Sequence, residues 1–136
     1  MKLYEEKYGT PEYDPTVPCI TATFSGFLNS EQFKSFLNKG LDHLIEKKRI
    51  HGMILWLADT RKHVVQPEKD TNWVAEDWNP RALKEGIRHV AFVLPENLFG
   101  DLSIKKYAQK NDAQENKMTV QMFGDVKAAK DWFSGI

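Results

Sequence analysis

Residues 53–58 read MILWLA, six apolar side chains in a row. Neither face of a strand built from them is polar. Such a run suits an inner strand covered on both sides, as in a parallel sheet flanked by helices. Asp59 is expected to end it. Residues 89–95, HVAFVLP, repeat the pattern and are expected to stop at Pro95. Two inner strands need crossover connections, and amphipathic segments are the natural candidates for these.

The clearest of those segments precedes MILWLA. Asn29 or Ser30 can cap a helix, and Gln32 lies three residues after Asn29, the spacing of a capping box. Phe33, Phe36, Leu37, Gly40, Leu41, Leu44 and Ile45 then follow the three-four spacing of one buried stripe. Gly40 sits inside the stripe despite its cost to a helix, which points to close packing against the sheet. His43 falls off the stripe. Lys47, Lys48 and Arg49 close the helix where cations complement its dipole.

Between the two apolar runs lies TNWVAEDWNPRALKEG, residues 71–86. Asp70 or Thr71 can cap a helix running to Trp78. Pro80 biases Asn79 away from helical angles and fits the first turn of a second helix, which Gly86 would end. Asn79-Pro80 is therefore a joint between two short helices or a kink in one. Trp73 and Trp78, five apart, would point ~140° apart on a regular helix. Val74 shares a face with Trp78, so Trp78 is expected in the core and Trp73 partly exposed. Trp56 is core, and Trp132 covers the sheet edge.

The remaining elements are shorter. LYEEKY at residues 3–8 alternates weakly, as an edge strand does. TPEYDPTVP, with three prolines, reads as a turn or loop. CITATF puts Ile20, Ala22 and Phe24 on one face and Thr21 and Thr23 on the other, a half-buried strand closed by Gly26 and Asn29. LSIKKYAQK reads as a short helix, MTVQMF as a strand, and GDVKAAKDWF as a closing helix capped by Asp125. The expected architecture is α/β, an open mixed sheet of about five strands with crossover helices, one domain over residues 1–136.

Composition narrows the function. Lys plus Arg and Asp plus Glu number 19 each, so no general electrostatic pull toward nucleic acid or anionic membrane exists. Cys19 is the only cysteine, which excludes an intramolecular disulfide and a cysteine metal cluster. MKLYEEKYG lacks the apolar segment of a signal peptide, and no run is long enough to span a membrane. A cytoplasmic protein is expected. Nucleophile elbow, P-loop, His-Glu-x-x-His and Gly-rich dinucleotide turn are all missing. His43, His51, His63 and His89 show no ligand spacing, and Glu76-Asp77 reads as a solvated face. No catalytic residue, metal or cofactor is therefore expected.

ILWLADTRK, WVAEDWNPRALKEGIRHVAFVLPENLF and FGDVKAAKDWF, together with the order of elements, resemble the STAS / SpoIIAA-like family. More narrowly they resemble the STAS-like proteins found in many Bacteroidetes genomes, a group without an assigned biochemical role. The resemblance runs from Leu3 to Phe133. It implies the SpoIIAA-like open sheet and a non-enzymatic interaction domain. Antagonist members of the family carry a phosphorylatable Ser or Thr in an Asp-Ser-Ser-Gly type motif. KDTNW is the nearest match, with Asp70 and Thr71 in the Asp and acceptor positions. The glycine is replaced by Asn72 or Trp73, and the loop from Asp59 to Asp70 is long. Thr71 reads equally as an unmodified helix cap.

Ligands of open α/β sheets sit beyond the carboxyl ends of the strands. Those ends are Asp59-Thr60-Arg61, Pro95-Glu96 and Gly124-Asp125. Arg61 is a candidate anion clamp near Asp59; its other reading is a turn with paired surface charge. Two functions follow: protein binding or self-association through the face of Trp73, or binding of a small lipophilic or anionic ligand in a pocket near Trp73, Leu98 and Phe99.

Overall fold

The computed structural model describes residues 1–63, 66–94 and 118–136. One five-stranded sheet organises them, its strands side by side in chain order. The strands are β1 (Gly9–Asp14), β2 (Cys19–Gly26), β3 (Leu55–His63), β4 (His89–Val93) and β5 (Thr119–Phe123). β1 runs antiparallel to β2, and β2, β3, β4 and β5 are parallel. The sheet is thus mixed and largely parallel, and MILWLA and HVAFVLP supply inner strands.

Helix α1 (Ser30–His51) connects β2 to β3. The capping box is present: Asn29 Oδ1 accepts from Gln32 N at 2.8 Å and Asn29 N donates to Gln32 Oε1 at 3.0 Å. Phe33, Phe36, Leu37, Gly40, Leu41 and Leu44 are buried along the expected stripe. Gly40 is there because Trp56 is there: an added Cβ would lie 2.5 Å from Trp56 Cη2. Three helical segments then connect β3 to β4: α2 (Glu68–Trp73), a π turn (Val74–Trp78) and α3 (Asn79–Lys84). Gly86, at φ +81°, closes α3, with Gly86 N donating to Leu83 O and Ile87 N to Ala82 O. Helix α4 (Val126–Ser134) ends the chain, its first turn capped by Asp125 Oδ1 accepting from Ala128 N.

The parallel strands carry apolar side chains on both faces, and two cores result. Ile20, Ala22, Phe24, Trp56, Ala58 and Val90 meet α1 and the segment 68–84 on one face. Cys19, Leu55, Leu57, Ala91 and Val93 meet Ala129 and Phe133 of α4 on the other. Among the described residues no helix is long and apolar enough to cross a membrane.

Four local expectations change. The first strand is Gly9–Asp14, largely within the proline-rich stretch expected to be a loop; LYEEKY contributes only one isolated bridge, Glu6 to Gly9, beside a second from Lys2 to Glu12. Pro11 is tolerated because its nitrogen faces away from β2, on the edge where its carbonyl accepts from Leu3 N at 2.8 Å, so the β1–β2 ladder loses no donor. β2 is not half-buried, since Thr21 and Cys19 are covered on the second face. β3 does not end at Asp59 but runs to His63. The LSIKKYAQK helix and the Pro95 stop lie outside the described residues.

The fourth change concerns residues 67–84. Asn79 has helical angles, φ −60° and ψ −46°, as do Trp73, Val74 and Trp78. The path is one continuous helix with a π turn in it, so of the two readings of Asn79-Pro80 the single helix holds and not the joint between two. Its start is Pro67, without a side-chain cap bond. Thr71 is therefore not a cap: its hydroxyl donates to Glu68 O at 2.9 Å from inside the helix.

Candidate functional site

Along β3 the side chains alternate across the sheet, so Trp56, Ala58 and Thr60 share the face covered by α1. Strict alternation would put Lys62 next on that face. The register against β2 shifts between Thr23 and Ser25: Thr23 pairs with Asp59, but Ser25 pairs with Lys62. β3 carries one extra residue there, a bulge, and bulges re-aim the side chains that follow them. His63 comes round to the Trp56 face in consequence.

A second irregularity faces the first. Asn79 N donates to Val74 O, a five-residue hydrogen bond that widens the helix by one residue over a turn. Val74 and Trp78 project from this turn toward β3. Trp78 is buried, its Nε1 donating to Leu37 O at 2.8 Å, and its ring centroid lies 5.7 Å from that of Trp56.

Between bulge and π turn lies a cavity of about 60 Å³. Aromatic and aliphatic side chains form its body, among them Phe33, Trp56, Val74, Trp78 and Val90; Thr60, His63, Gln66 and Thr71 bring polar atoms to the wall. Such a volume is several times the ~10–15 Å³ that one water needs, and the cavity is open on one side, so a ligand larger than its enclosed part can enter. A neighbouring polar cluster is closed on itself. Gln66 Nε2 donates to Leu28 O at 3.1 Å and to Asp70 Oδ2 at 2.6 Å, which secures the β2–α1 loop to α2. His63 is different: its Nδ1 is buried with no hydrogen-bond partner. Burial of the ring lowers its pKa below 6.5, against hydrogen bonding of the imidazole with Gln66 and with the Gly26 backbone, which raises it.

The sequence-based candidates separate into three groups. Thr71 is on the cavity wall and is buried, its hydroxyl engaged with Glu68 O. Trp73 is half-buried beside the cavity, edge-on to Phe33, with Lys34 Nζ 5.5 Å and Arg81 Cζ 5.8 Å from the centre of its ring. Trp78 is buried, as its pairing with Val74 implied, although the π turn and not regular helical spacing sets the angle between the two tryptophans. Asp59 and Arg61 are two residues apart on β3 and form a closed pair. Arg61 Nε donates to Asp59 Oδ1 at 3.0 Å and Arg61 Nη2 to Asp59 Oδ2 at 2.8 Å. The guanidinium is held by its own carboxylate, as the paired-charge reading of this turn has it. Leu98 and Phe99 lie outside the described residues.

Sequence reasoning missed His63, Gln66 and Phe24 as members of one site and read Trp56 and Trp78 as plain core. Periodicity places residues by assuming regular elements, and both irregularities that shape the cavity break that assumption. Among the described residues no group of three or more His, Cys, Asp or Glu is placed to hold a metal ion. Chemically, the site can sequester one small apolar group and offer it a hydrogen bond at one end. No family model, curated protein or solved structure matches this chain.

Proposed function

We propose that the protein is a non-enzymatic, cytoplasmic binding domain of the SpoIIAA-like type that holds a small uncharged lipophile in the aromatic cavity between β3 and the π turn. The observation that carries the reading is the cavity itself. It is lined by Phe33, Trp56, Trp78 and Val90 beside the carboxyl end of a parallel strand, where open α/β sheets place ligands. Charge selects the neutral ligand over an anionic one. Among the described residues no lysine or arginine lines the cavity, and Arg61 is engaged with Asp59. Buried Asp70, held by Gln66 next to the wall, adds repulsion toward an anion.

The test uses p-xylene as probe and the chain's own tryptophans as reporters. Trp56 and Trp78 line the cavity, so occupancy alters their fluorescence. Val74→Phe fills the space from the helix side. Binding by the wild type and its loss in a folded Val74→Phe variant are expected. Equal binding by both would place the probe elsewhere and remove the proposal.

A second reading, protein binding at the same end of the sheet, has one observation in its favour. Phe27, between Gly26 and Leu28 on the β2–α1 loop, is 61% exposed. Self-association that Phe27→Ser abolishes in sizing chromatography, with the fold intact, would favour it.

A further inference from the structure

We propose that His63 is the polar anchor of the cavity, and that the ligand is an amphiphile with an uncharged hydroxyl-type head hydrogen-bonded to His63 Nδ1 and an apolar ring or short chain among Trp56, Trp78 and Val90. The inference rests on the cavity being a binding site and adds the chemical class of its occupant.

Three observations converge on this residue. The ring of His63 forms part of the cavity wall. Its Nδ1 is buried and has no partner, and buried polar atoms are almost always satisfied, so an orphan beside an apolar void is a place where a missing partner fits. The bulge in β3 puts His63 on this face at all: the lining takes Ala58, Thr60 and then His63, a step of three that a regular strand cannot make. Bulges of this kind sit next to sites where one side chain must be aimed.

Among the described residues, the other polar side chains on the wall are already committed. Gln66 Nε2 donates to Leu28 and Asp70, Thr60 Oγ1 to Val93 O at 2.9 Å, and Thr71 Oγ1 to Glu68 O. The other buried orphan among the described residues, Tyr4 Oη, belongs to a ring packed on Phe36 outside the cavity. Burial keeps the imidazole of His63 neutral, and a neutral ring offers a lone pair or a proton according to tautomer. A hydroxyl can meet either, because it both donates and accepts. A carboxylate can only accept and would carry its charge into an apolar space beside Asp70, which disfavours it.

p-Cresol and p-xylene have nearly the same shape and differ in one hydroxyl. Both are expected to bind the wild type. His63→Leu is expected to weaken p-cresol about tenfold, the scale of one lost hydrogen bond in a largely apolar site, and to leave p-xylene within about twofold. His63→Asn, whose side-chain amide reaches the same region, is expected to restore part of the p-cresol affinity. Nitrogen NMR of the unmodified protein gives a readout that needs no variant: the His63 Nδ1 resonance should move with p-cresol and not with p-xylene. An unmoved Nδ1 resonance, or equal losses of both probes in His63→Leu, overturns the anchor while leaving the cavity as a binding site. Failure of both probes to bind the wild type overturns the anchor and the binding reading together.

Discussion

Gly40→Ala sets two effects of opposite sign against each other at one position of α1. Alanine in a helix interior is favoured over glycine by about 1 kcal/mol. Against this, an added Cβ would stand 2.5 Å from Cη2 and 2.7 Å from Cζ3 of Trp56, well inside contact distance. Trp56 is 3% exposed and its ring lies 5.7 Å from that of Trp78, so it has no way out to solvent. Its one free direction is the cavity, whose wall it forms. Overpacking of this kind costs about 1–3 kcal/mol, so the net expected change is a loss of about 1 kcal/mol. Urea unfolding followed by circular dichroism measures it, with an unchanged slope showing that the unfolded state is not involved. A second background separates the two effects. Phenylalanine lacks the outer indole atoms that make the clash, so in Trp56→Phe the same Gly40→Ala change should stabilise, by up to about 1 kcal/mol. The sign of the substitution thus reverses between backgrounds. An equal loss in both, or a gain in the wild type, would refute the close approach of Gly40 to Trp56. The displaced indole should also narrow the cavity, so Gly40→Ala should weaken p-xylene binding.

Two pH dependences follow from ionisable groups whose pKa values the fold shifts. Asp14 is held down to about 2, first by its hydrogen bond from Thr16 and then by Lys130 across to α4, while partial burial opposes both. Its contribution to stability is present above the usual carboxylate value of 3.8 and disappears as pH falls through about 2, so the stability gap between wild type and Asp14→Asn in urea should close over that interval. His63 is shifted the other way relative to its charge: burial keeps it neutral below 6.5, while the unfolded chain takes up the proton. Stability is therefore full above 6.5 and falls with acidification below it, and His63→Phe should flatten that slope, with His89, also shifted down by burial, leaving a residual dependence.

The elements readable from sequence share one property: their local pattern and their place in the fold agree. MILWLA is apolar over Leu55–Ala58 because helices cover both faces of β3, whereas Met53 precedes the strand and is exposed. The α1 stripe and the Asn29–Gln32 box are periodic and local, and α4 is marked by Asp125 and the Val126–Ala129–Phe133 face. Misreadings occurred where a neighbour decides. Pro11 signals a loop until β2 is known to leave it at the outer strand, and the alternation of Gly9, Pro11 and Tyr13 inward then becomes visible. Asp59 signals a strand end until Arg61, two residues on, is seen to take both carboxylate oxygens; the pair lets the strand continue with an acid 7% exposed. Thr71 signals a cap because it is a threonine ahead of an apolar run, yet the helix starts earlier, at Pro67.

The site is the least legible part, for a reason that also argues for its importance. A bulge adds one residue to β3 and a π turn adds one to the helix opposite. Each gives up regular hydrogen bonding that the neighbouring sequence could otherwise make, and each is of a kind found at functional positions more often than elsewhere. Either alone would be unremarkable in a sheet of this size. Here both border the same void, and the residues they re-aim, His63 on one side and Val74 with Trp78 on the other, all contribute to its wall. A core selected for stability alone would close a void of this size, since loosely filled space costs stability in proportion to its volume. Two independent departures from regularity border one cavity, with an unsatisfied ring nitrogen beside it, and the proposed binding function rests on that coincidence.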